Sequence, residues 1–349
     1  WGGCARGWPS IMPHHGGDPM RIAHAAIDMG NPYKGGYWIS IDRRNGRIDN
    51  LGKSISNDGL LCVSWDPWRK LLYGHTNRTA ELTVFDPMTR QERILGVPWQ
   101  DVIDRWKADP DPKKPKEIWA RNLTHMITED GKVYGCKPPA GTFWCYDPGT
   151  GAITTFTVDM PLPAELQAHR DAGREIPAKA MQQWRDSSFH LHLRDAGGGG
   201  FLLMRSFDQM LCRFHPPTKD GPARIETLAP MGLAERRYDL RPAACTLVRT
   251  GDTVWYTPYT GWGGTANLTS YDLVRRVVTD HGPLVVEDGR QVTEVHSLEA
   301  MPDGRLAMVA FVFSIDGREP VRENAMRDKY PFHPRFVIID PKTDLRGTP

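Results

Sequence analysis

The segment Leu60–Gly96, LLCVSWDPWRKLLYGHTNRTAELTVFDPMTRQERILG, decides the fold of this chain. It contains four short apolar stretches that are each predicted to form a β-strand: Leu60–Asp66, Lys70–Thr76, Glu81–Asp86 and Gln91–Gly96. The last two stretches are joined by DPMTR, with Asp86 at the first turn position and Pro87 at the second, which favours a type I turn. The segment therefore predicts a four-stranded antiparallel unit.

The same pattern recurs along the chain: an apolar strand that ends in Asp is followed by a turn and a second strand. Its copies are Tyr37–Gly52, Phe143–Thr157, Leu268–Gly282, Phe336–Asp344 and a degenerate copy, Leu211–Thr227, in which His215 replaces the Asp. Regular repetition of such units is typical of a β-propeller. We expect an all-β fold, a six- or seven-bladed propeller that uses residues 1–349 as a single domain, with its last blade completed by a strand from Trp1–Lys34.

Charge and hydropathy exclude two classes of partner. The 349 residues include 44 basic and 42 acidic side chains, which leaves a formal charge of only +2. Nucleic-acid binding usually needs a concentrated basic surface, so we expect no nucleic acid. The longest apolar run, Leu306–Phe313, is too short for a membrane-spanning helix, so we expect no membrane partner.

Three long insertions interrupt the repeats, at residues 97–121, 160–186 and 314–335. The first insertion has helical spacing over Trp99–Lys107, and the second has it around Ala164–Ala172 and Ala178–Trp184. In an up-and-down blade, the loops after the second strand and after the fourth strand lie on the same side. The insertions are therefore expected on one face, which would be the functional face of the propeller.

Polar residues at the ends of the predicted inner strands should lie on that face too. At the starts of first strands stand His125, His190, His192 and His296, and just after second strands stand His75, Lys137, Arg205 and Tyr259. A single histidine at a strand end often binds a backbone carbonyl. Four histidines at matching positions of four blades instead predict a shared site.

His190 and His192 are spaced as i and i+2 in a strand, so both side chains are expected on one face. This spacing is compatible with a divalent metal (Mn, Zn or Ca), with a third ligand from His125, His296 or His75. No organic cofactor is expected.

The other candidate residues are expected to contact the substrate. Arg205 ends an apolar strand and needs an anionic partner, either a substrate carboxylate or a structural carboxylate such as Asp195 or Asp208. Tyr259 and Trp262 in a Gly-rich loop are candidates for a sugar-binding platform. His333 and Arg335 end the third insertion and either close over the site or anchor the loop.

These residues resemble the β-propeller polysaccharide lyases. His190-Leu191-His192 is similar to the metal-binding pair of the oligogalacturonate lyases, although Ser187 stands where that family has Gln. His125, Tyr259 and Arg205 are similar to the catalytic set of the ulvan lyases. The resemblance implies β-elimination at a uronic acid, in which Arg205, Lys137 or a metal neutralises the carboxylate, His125 or His75 removes the C5 proton, and Tyr259 protonates the leaving oxygen.

The sequence thus predicts a secreted or periplasmic lyase that acts on an acidic poly- or oligosaccharide. It contains no phosphate loop, no G-x-S-x-G motif and no H-E-x-x-H motif. Two alternatives remain open: a metal-dependent propeller hydrolase such as a lactonase, and a non-catalytic propeller that binds a glycan or a protein.

Overall fold

The structure is a computed structural model that describes residues 37–41, 48–56, 60–76, 79–109, 125–186, 189–195, 200–205, 210–231, 247–257, 266–313 and 333–345. The chain forms two compact units. The first contains Trp1–Lys137 and Thr142–Thr157, and the second contains Pro138–Gly141 and Val158–Pro349.

The described part of the first unit contains a hairpin, two four-stranded sheets and a helix. The hairpin pairs β1 (Tyr37–Ile41) with β2 (Ile48–Lys53). The first sheet contains β3 (Leu60–Asp66), β4 (Leu71–Thr76), β5 (Leu82–Asp86) and β6 (Gln91–Gly96). Helix α1 (Gln100–Ala108) follows it. The second sheet contains β7 (Met126–Ile127), β8 (Val133–Lys137), β9 (Thr142–Asp147) and β10 (Ala152–Thr157).

The second unit begins with two helices and continues with three sheets. The helices are α2 (Ala164–Asp171) and α3 (Ala178–Asp186). The third sheet contains β11 (Phe189–Asp195), β12 (Gly200–Arg205), β13 (Met210–His215) and β14 (Arg224–Pro230). The fourth contains β15 (Leu247–Thr250), β16 (Thr253–Tyr256), β17 (Asn267–Asp272) and β18 (Val277–Pro283). The fifth contains β19 (Gln291–Ala300), β20 (Leu306–Phe313) and β21 (His333–Ile339).

Each of the five sheets is an antiparallel meander in which consecutive strands are neighbours. In the second unit, the first strands of the three sheets lie side by side, with β11 next to β15 and β15 next to β19. This is the arrangement of blades in a β-propeller. The prediction of an all-β propeller is therefore confirmed, but the described residues form five blades rather than six or seven.

The miscount comes from the first copy, Tyr37–Gly52, which forms only the β1–β2 hairpin in the described part of the chain. Trp38 of this hairpin stacks on Phe85 of β5, with ring centroids 4.6 Å apart and planes 6° apart, and Leu60 completes the cluster. The repeated turn pattern marks a hairpin, and a hairpin need not belong to a complete blade. The predicted closing strand in Trp1–Lys34 lies outside the described residues.

Aspartates close the hairpin turns, as the repeated sequence pattern predicts. Oδ1 of Asp86 accepts hydrogen bonds from the backbone N–H groups of Met88 (2.8 Å) and Thr89 (3.3 Å), and these bonds hold the pKa of Asp86 below its usual value. Arg90 then adopts φ 59° and donates its N–H to the Asp86 carbonyl at 2.8 Å. Asp272 makes the same contacts with Val274, Arg275 and Arg276. In the degenerate copy, the loop after His215 instead contains a small bridge between Thr218 and Gly221.

Two insertions contain the expected helices: α1 lies in 97–121, and α2 and α3 lie in 160–186. In the third insertion, the structure differs from the prediction at its end, because residues 333–335 already belong to β21 and pair with β20. That the insertions share one functional face stays a prediction. Within the described residues, every helix falls short of the length and apolarity needed to span a bilayer.

Candidate active site

The ends of second strands carry the predicted polar residues. His75 is the penultimate residue of β4, and Lys137 and Arg205 are the last residues of β8 and β12. Each follows an apolar run whose side chains are buried between blades, so each polar group comes at the point where the apolar pattern ends. His125 directly precedes β7, as expected for the start of a first strand.

In the first unit, the structure brings together two of the predicted catalytic histidines. The ring centroids of His75 and His125 are 5.8 Å apart. Trp144 lies beside both, 6.4 Å from His75 in a stacked orientation and 5.7 Å from His125 in an edge orientation. The indole of Trp99 is 6.5 Å from His75. Two imidazoles from neighbouring sheets therefore share an aromatic enclosure, and we call these four residues the histidine chamber.

His75 lies at the bottom of the histidine chamber. Its side chain has no solvent exposure, and within the described structure neither ring nitrogen has a hydrogen-bond partner. Burial without a compensating charge disfavours the imidazolium and lowers the pKa of His75 to about 3. His75 is thus a neutral imidazole at any physiological pH.

His125 lies nearer the surface and is held by its backbone. It is 6% exposed, and its N–H donates a hydrogen bond of 2.7 Å to Oγ of Ser64 in β3. This bond links the first sheet to the start of the second, where β7 has only two residues. Ser64 was not predictable as the partner of this bond, because a serine within an apolar strand has no distinguishing signal.

Lys137 is predicted to bind substrate, and the structure shows how its charge is accommodated. Its side chain is 3% exposed, and Nζ donates to the carbonyl oxygen of Pro98 at 3.0 Å and to Oδ1 of Asp101 in α1. Asp101 also approaches Arg105 at 3.4 Å. The lysine charge is therefore already neutralised by a carboxylate of the first insertion.

Lys137 and Asp101 line an open groove of about 540 Å³ in the first unit. Thr155 of β10 adds a hydroxyl group to its lining, and Leu95, Val97 and Ile153 supply apolar walls. This volume lies within the range of small-molecule sites. We call this space the Lys137 groove.

In the second unit, Arg205 is buried against a helix. It is 3% exposed, and its guanidinium carbon lies 5.3 Å from the ring centroid of Trp184 in α3. The prediction that Arg205 is sheltered is confirmed by this burial. Trp184 provides the aromatic face. Its sequence pattern predicts only that it ends a helix.

The H-x-H pair lies in β11, but its pairing is irregular. His190 pairs with Met204 and His192 pairs with Leu203, so the register shifts between the two histidines. The prediction that both histidines share one face of the strand assumes that side chains alternate regularly along it. The register shift shows that the strand is not regular at this point. In the described residues, no group of three or more His, Cys, Asp or Glu side chains is arranged to hold a metal ion. The metal therefore stays a prediction.

The remaining predicted residues are not brought together by the described structure. His296 lies in β19, and His333 and Arg335 lie in β21, where Arg335 pairs with Ala310 and is exposed. His333 and Arg335 thus stand in a paired strand, and whether they close over the site or anchor the loop stays a prediction. Tyr259 and Trp262 lie outside the described residues. That all these side chains meet at one pore mouth stays a prediction.

Comparison with known proteins yields similarity of structure only. No known protein family matches the sequence, and no curated protein matches it either. Hydrazine synthase from Kuenenia stuttgartiensis is similar to this chain with a TM-score of 0.49 and 12% identity, over 80% of this chain and 71% of that one. An auxiliary nutrient binding protein from Bacteroides thetaiotaomicron gives 0.48 and 9%, over 79% and 62% of the two chains. A putative 6-phosphogluconolactonase from Bacteroides uniformis gives 0.43 and 12%, over 89% and 97%.

Proposed function

We propose that the protein is a carbohydrate lyase that cleaves a uronic-acid-containing glycan by β-elimination. The observation that carries this proposal is the 5.8 Å separation of the His75 and His125 imidazoles in one enclosed chamber. Both residues are also candidate bases by their positions at predicted strand ends. The sequence resemblance to propeller lyases supports the choice of reaction.

His125 is the proton acceptor in this proposal. The C5 proton of the uronate moves to the imidazole, the electron pair left behind forms the C4=C5 double bond, and the C4–O bond to the leaving sugar breaks. Tyr259, the acid selected from the sequence, returns a proton to the leaving oxygen. No oxidant or further reactant is needed, and general base catalysis of this kind contributes about 10²- to 10⁴-fold in rate.

His75 supports His125 instead of contacting substrate. A fully buried side chain cannot reach a polymer, but its neutral ring places no positive charge beside His125. A cationic neighbour would make protonation of His125 harder, since like charges within a few ångströms disfavour the charged form. The neutral His75 therefore does not oppose protonation of His125.

The sequence selects Arg205 to neutralise the substrate carboxylate, and the proposal retains that choice. Lys137 is the weaker candidate for this role. The Lys137 ammonium already has Asp101 as its counter-ion, so it offers little net charge to an anionic substrate. The roles of His190 and His192 as ligands of a divalent metal, and a secreted or periplasmic location, remain parts of the proposal that come from the sequence.

The test is a screen of polygalacturonate, ulvan, alginate and glucuronate-containing polysaccharides at several pH values. Elimination produces an unsaturated uronate that absorbs at short ultraviolet wavelengths. We expect activity on at least one polymer, and a loss of at least about 100-fold in kcat in His125→Ala and Arg205→Met. His215→Gln, at a turn of the third sheet, is the matched control and should retain activity.

Unfolding curves of each variant separate a loss of catalysis from a loss of fold. A flat absorbance trace on every polymer would reject the lyase proposal. A folded His125→Ala variant with wild-type kcat would reject the assigned base.

A further inference from the structure

We propose that the Lys137 groove is a sugar-binding subsite that recognises a pair of hydroxyl groups, one accepting from Lys137 and one donating to Asp101. The inference rests on the proposed function for the ligand class, a carbohydrate. It assigns to this groove a task separate from proton abstraction in the histidine chamber.

The first step of the argument is the hydrogen-bonding capacity of Lys137. An ammonium group has three N–H donors. Within the described structure, Nζ uses two of them, on the Pro98 carbonyl oxygen at 3.0 Å and on Oδ1 of Asp101. The side chain is 3% exposed and lines the groove, so bulk water has little access to the third donor. A buried donor without an acceptor costs free energy, and a ligand oxygen in the groove would relieve that cost.

The second step is the accessibility of the acceptor beside it. The side chain of Asp101 is 51% exposed although its oxygens already approach Lys137 and Arg105. A carboxylate oxygen has two lone pairs, so Asp101 retains capacity to accept from a ligand hydroxyl. A donor and an acceptor fixed side by side match two neighbouring hydroxyl groups of a sugar ring.

The third step is the charge of the pair. Lys137 and Asp101 neutralise each other, so the groove offers directed hydrogen bonds instead of a strong electrostatic field. A free carboxylate or phosphate would have to compete with Asp101 for the lysine. A neutral hydroxyl pair can bind both groups without separating them, which favours a sugar hydroxyl pair over an anionic group.

The groove walls suit the remainder of a sugar ring. Leu95, Val97 and Ile153 present apolar surface that can pack against the C–H face of a pyranose. Thr155 on β10 is exposed at the wall, where its hydroxyl group can hydrogen-bond to a further hydroxyl of the sugar. Gly96 keeps this surface open: it has φ 145°, and a Cβ at this position would lie 2.8 Å from Cδ1 of Ile153.

Binding of uncharged sugars tests this inference, since a sugar without a carboxylate cannot undergo the proposed elimination. Xylobiose, cellobiose, galactobiose and rhamnose are titrated into the wild-type protein by isothermal titration calorimetry. We expect at least one to bind, with affinity about tenfold lower in Thr155→Val and in Asp101→Asn, as befits the loss of one hydrogen bond each. Thr154→Val, one residue away on β10 and outside the groove, is the matched control and should bind as the wild type does.

Two results would overturn the inference. One is the absence of binding by all four sugars while digalacturonate binds, because the groove would then select a carboxylate. The other is binding that Thr155→Val and Asp101→Asn leave unchanged, because the sugar would then lie elsewhere. Thr155 is exposed on an outer strand, so Thr155→Val should fold even if Asp101→Asn does not. Failure of the lyase proposal would instead appear as intact sugar binding without an absorbance change on uronate polymers.

Discussion

The guanidinium of Arg205 lies over the indole of Trp184, 5.3 Å from its ring centroid, so the end of β12 is joined to helix α3 of the second insertion. A planar cation on an aromatic face combines electrostatic attraction with stacking. Both residues are nearly inaccessible to solvent, which strengthens that attraction. The insertion is therefore a structural support for a predicted catalytic residue.

We predict that Trp184→Leu lowers the free energy of unfolding by about 3 kcal/mol. A large aromatic side chain leaves a buried site, and the guanidinium of Arg205 loses its contact with the indole. Trp184→Phe keeps an aromatic face and should cost roughly half as much. Urea unfolding at neutral pH measures both values. Equal losses for the two variants would show that the volume of the ring, and not its face, supports Arg205.

The burial of His75 predicts a dependence of stability on pH. The pKa of His75 is about 3 in the folded chain and about 6.5 in the unfolded chain, so between these values the unfolded chain binds the extra proton. The free energy of unfolding should therefore fall as the pH decreases from about 6.5 towards 3, by about 1.4 kcal/mol per pH unit from this residue.

His75→Phe removes this titration and retains a ring in the histidine chamber. Between pH 5.5 and 4.5, we expect the wild type to lose about 1.4 kcal/mol more than the variant does. Carboxylates contribute equally to both proteins, so the difference isolates His75. Parallel curves would mean that His75 accepts a proton in the folded state.

Removing the charge of Asp101 should destabilise the protein more than removing the charge of Lys137. In Asp101→Asn, a nearly inaccessible ammonium loses its counter-ion, which we expect to cost roughly 3 kcal/mol. In Lys137→Met, an apolar side chain of similar length fills the same space and the half-exposed Asp101 is solvated, so we expect a cost of about 1 kcal/mol or less. Asp104→Asn on the exposed side of α1 is the control and should change stability by less than about 0.5 kcal/mol.

Chemical unfolding of the three variants and of the Asp101/Lys137 double variant completes the comparison. A larger loss in Lys137→Met than in Asp101→Asn would contradict the burial of the lysine.

Gly135 should be intolerant of a side chain because Trp144 packs directly on it. The two residues pair across β8 and β9, and a Cβ at Gly135 would overlap the indole, at 2.7 Å from its Nε1. We predict that Gly135→Ala displaces Trp144 and destabilises the protein by about 1 to 3 kcal/mol. Gly221→Ala, where nothing lies within 4 Å, is the control and should be neutral.

Thermal unfolding and near-ultraviolet circular dichroism of the tryptophans measure this effect. An unchanged tryptophan signal in Gly135→Ala would show that β8 shifts and the indole stays in place.

The strands and their turns were predictable because they depend on local chemistry. Asp86 and Asp272 close their turns through residues at most four positions away, so the pattern is complete within a few residues of sequence. The number of blades was not predictable in this way. Tyr37–Gly52 has the turn pattern of a blade, but its role depends on the packing of Trp38 against Phe85, a contact between distant residues.

The candidate site was predictable in position and only partly in environment. Strand topology placed His75, Lys137 and Arg205 at strand ends, where the structure has them. The partners that determine their chemistry come from elsewhere in the chain: Trp99 and Trp144 for His75, Asp101 for Lys137, and Trp184 for Arg205. The register shift within β11 also has no local sequence signal, so a regular alternation could only be assumed for His190 and His192.

The aspartate-closed turns determine how readily one hairpin loop can be exchanged for another. Asp86 and Asp272 complete their turns through backbone groups of the same hairpin. The residues that specify such a hairpin therefore lie within one short segment of the sequence. Substitutions on the exposed surface of such a hairpin should therefore leave its turn intact as long as the contacts of the aspartate are kept. Replacing one hairpin loop with the loop of another blade should therefore change the stability of the protein very little.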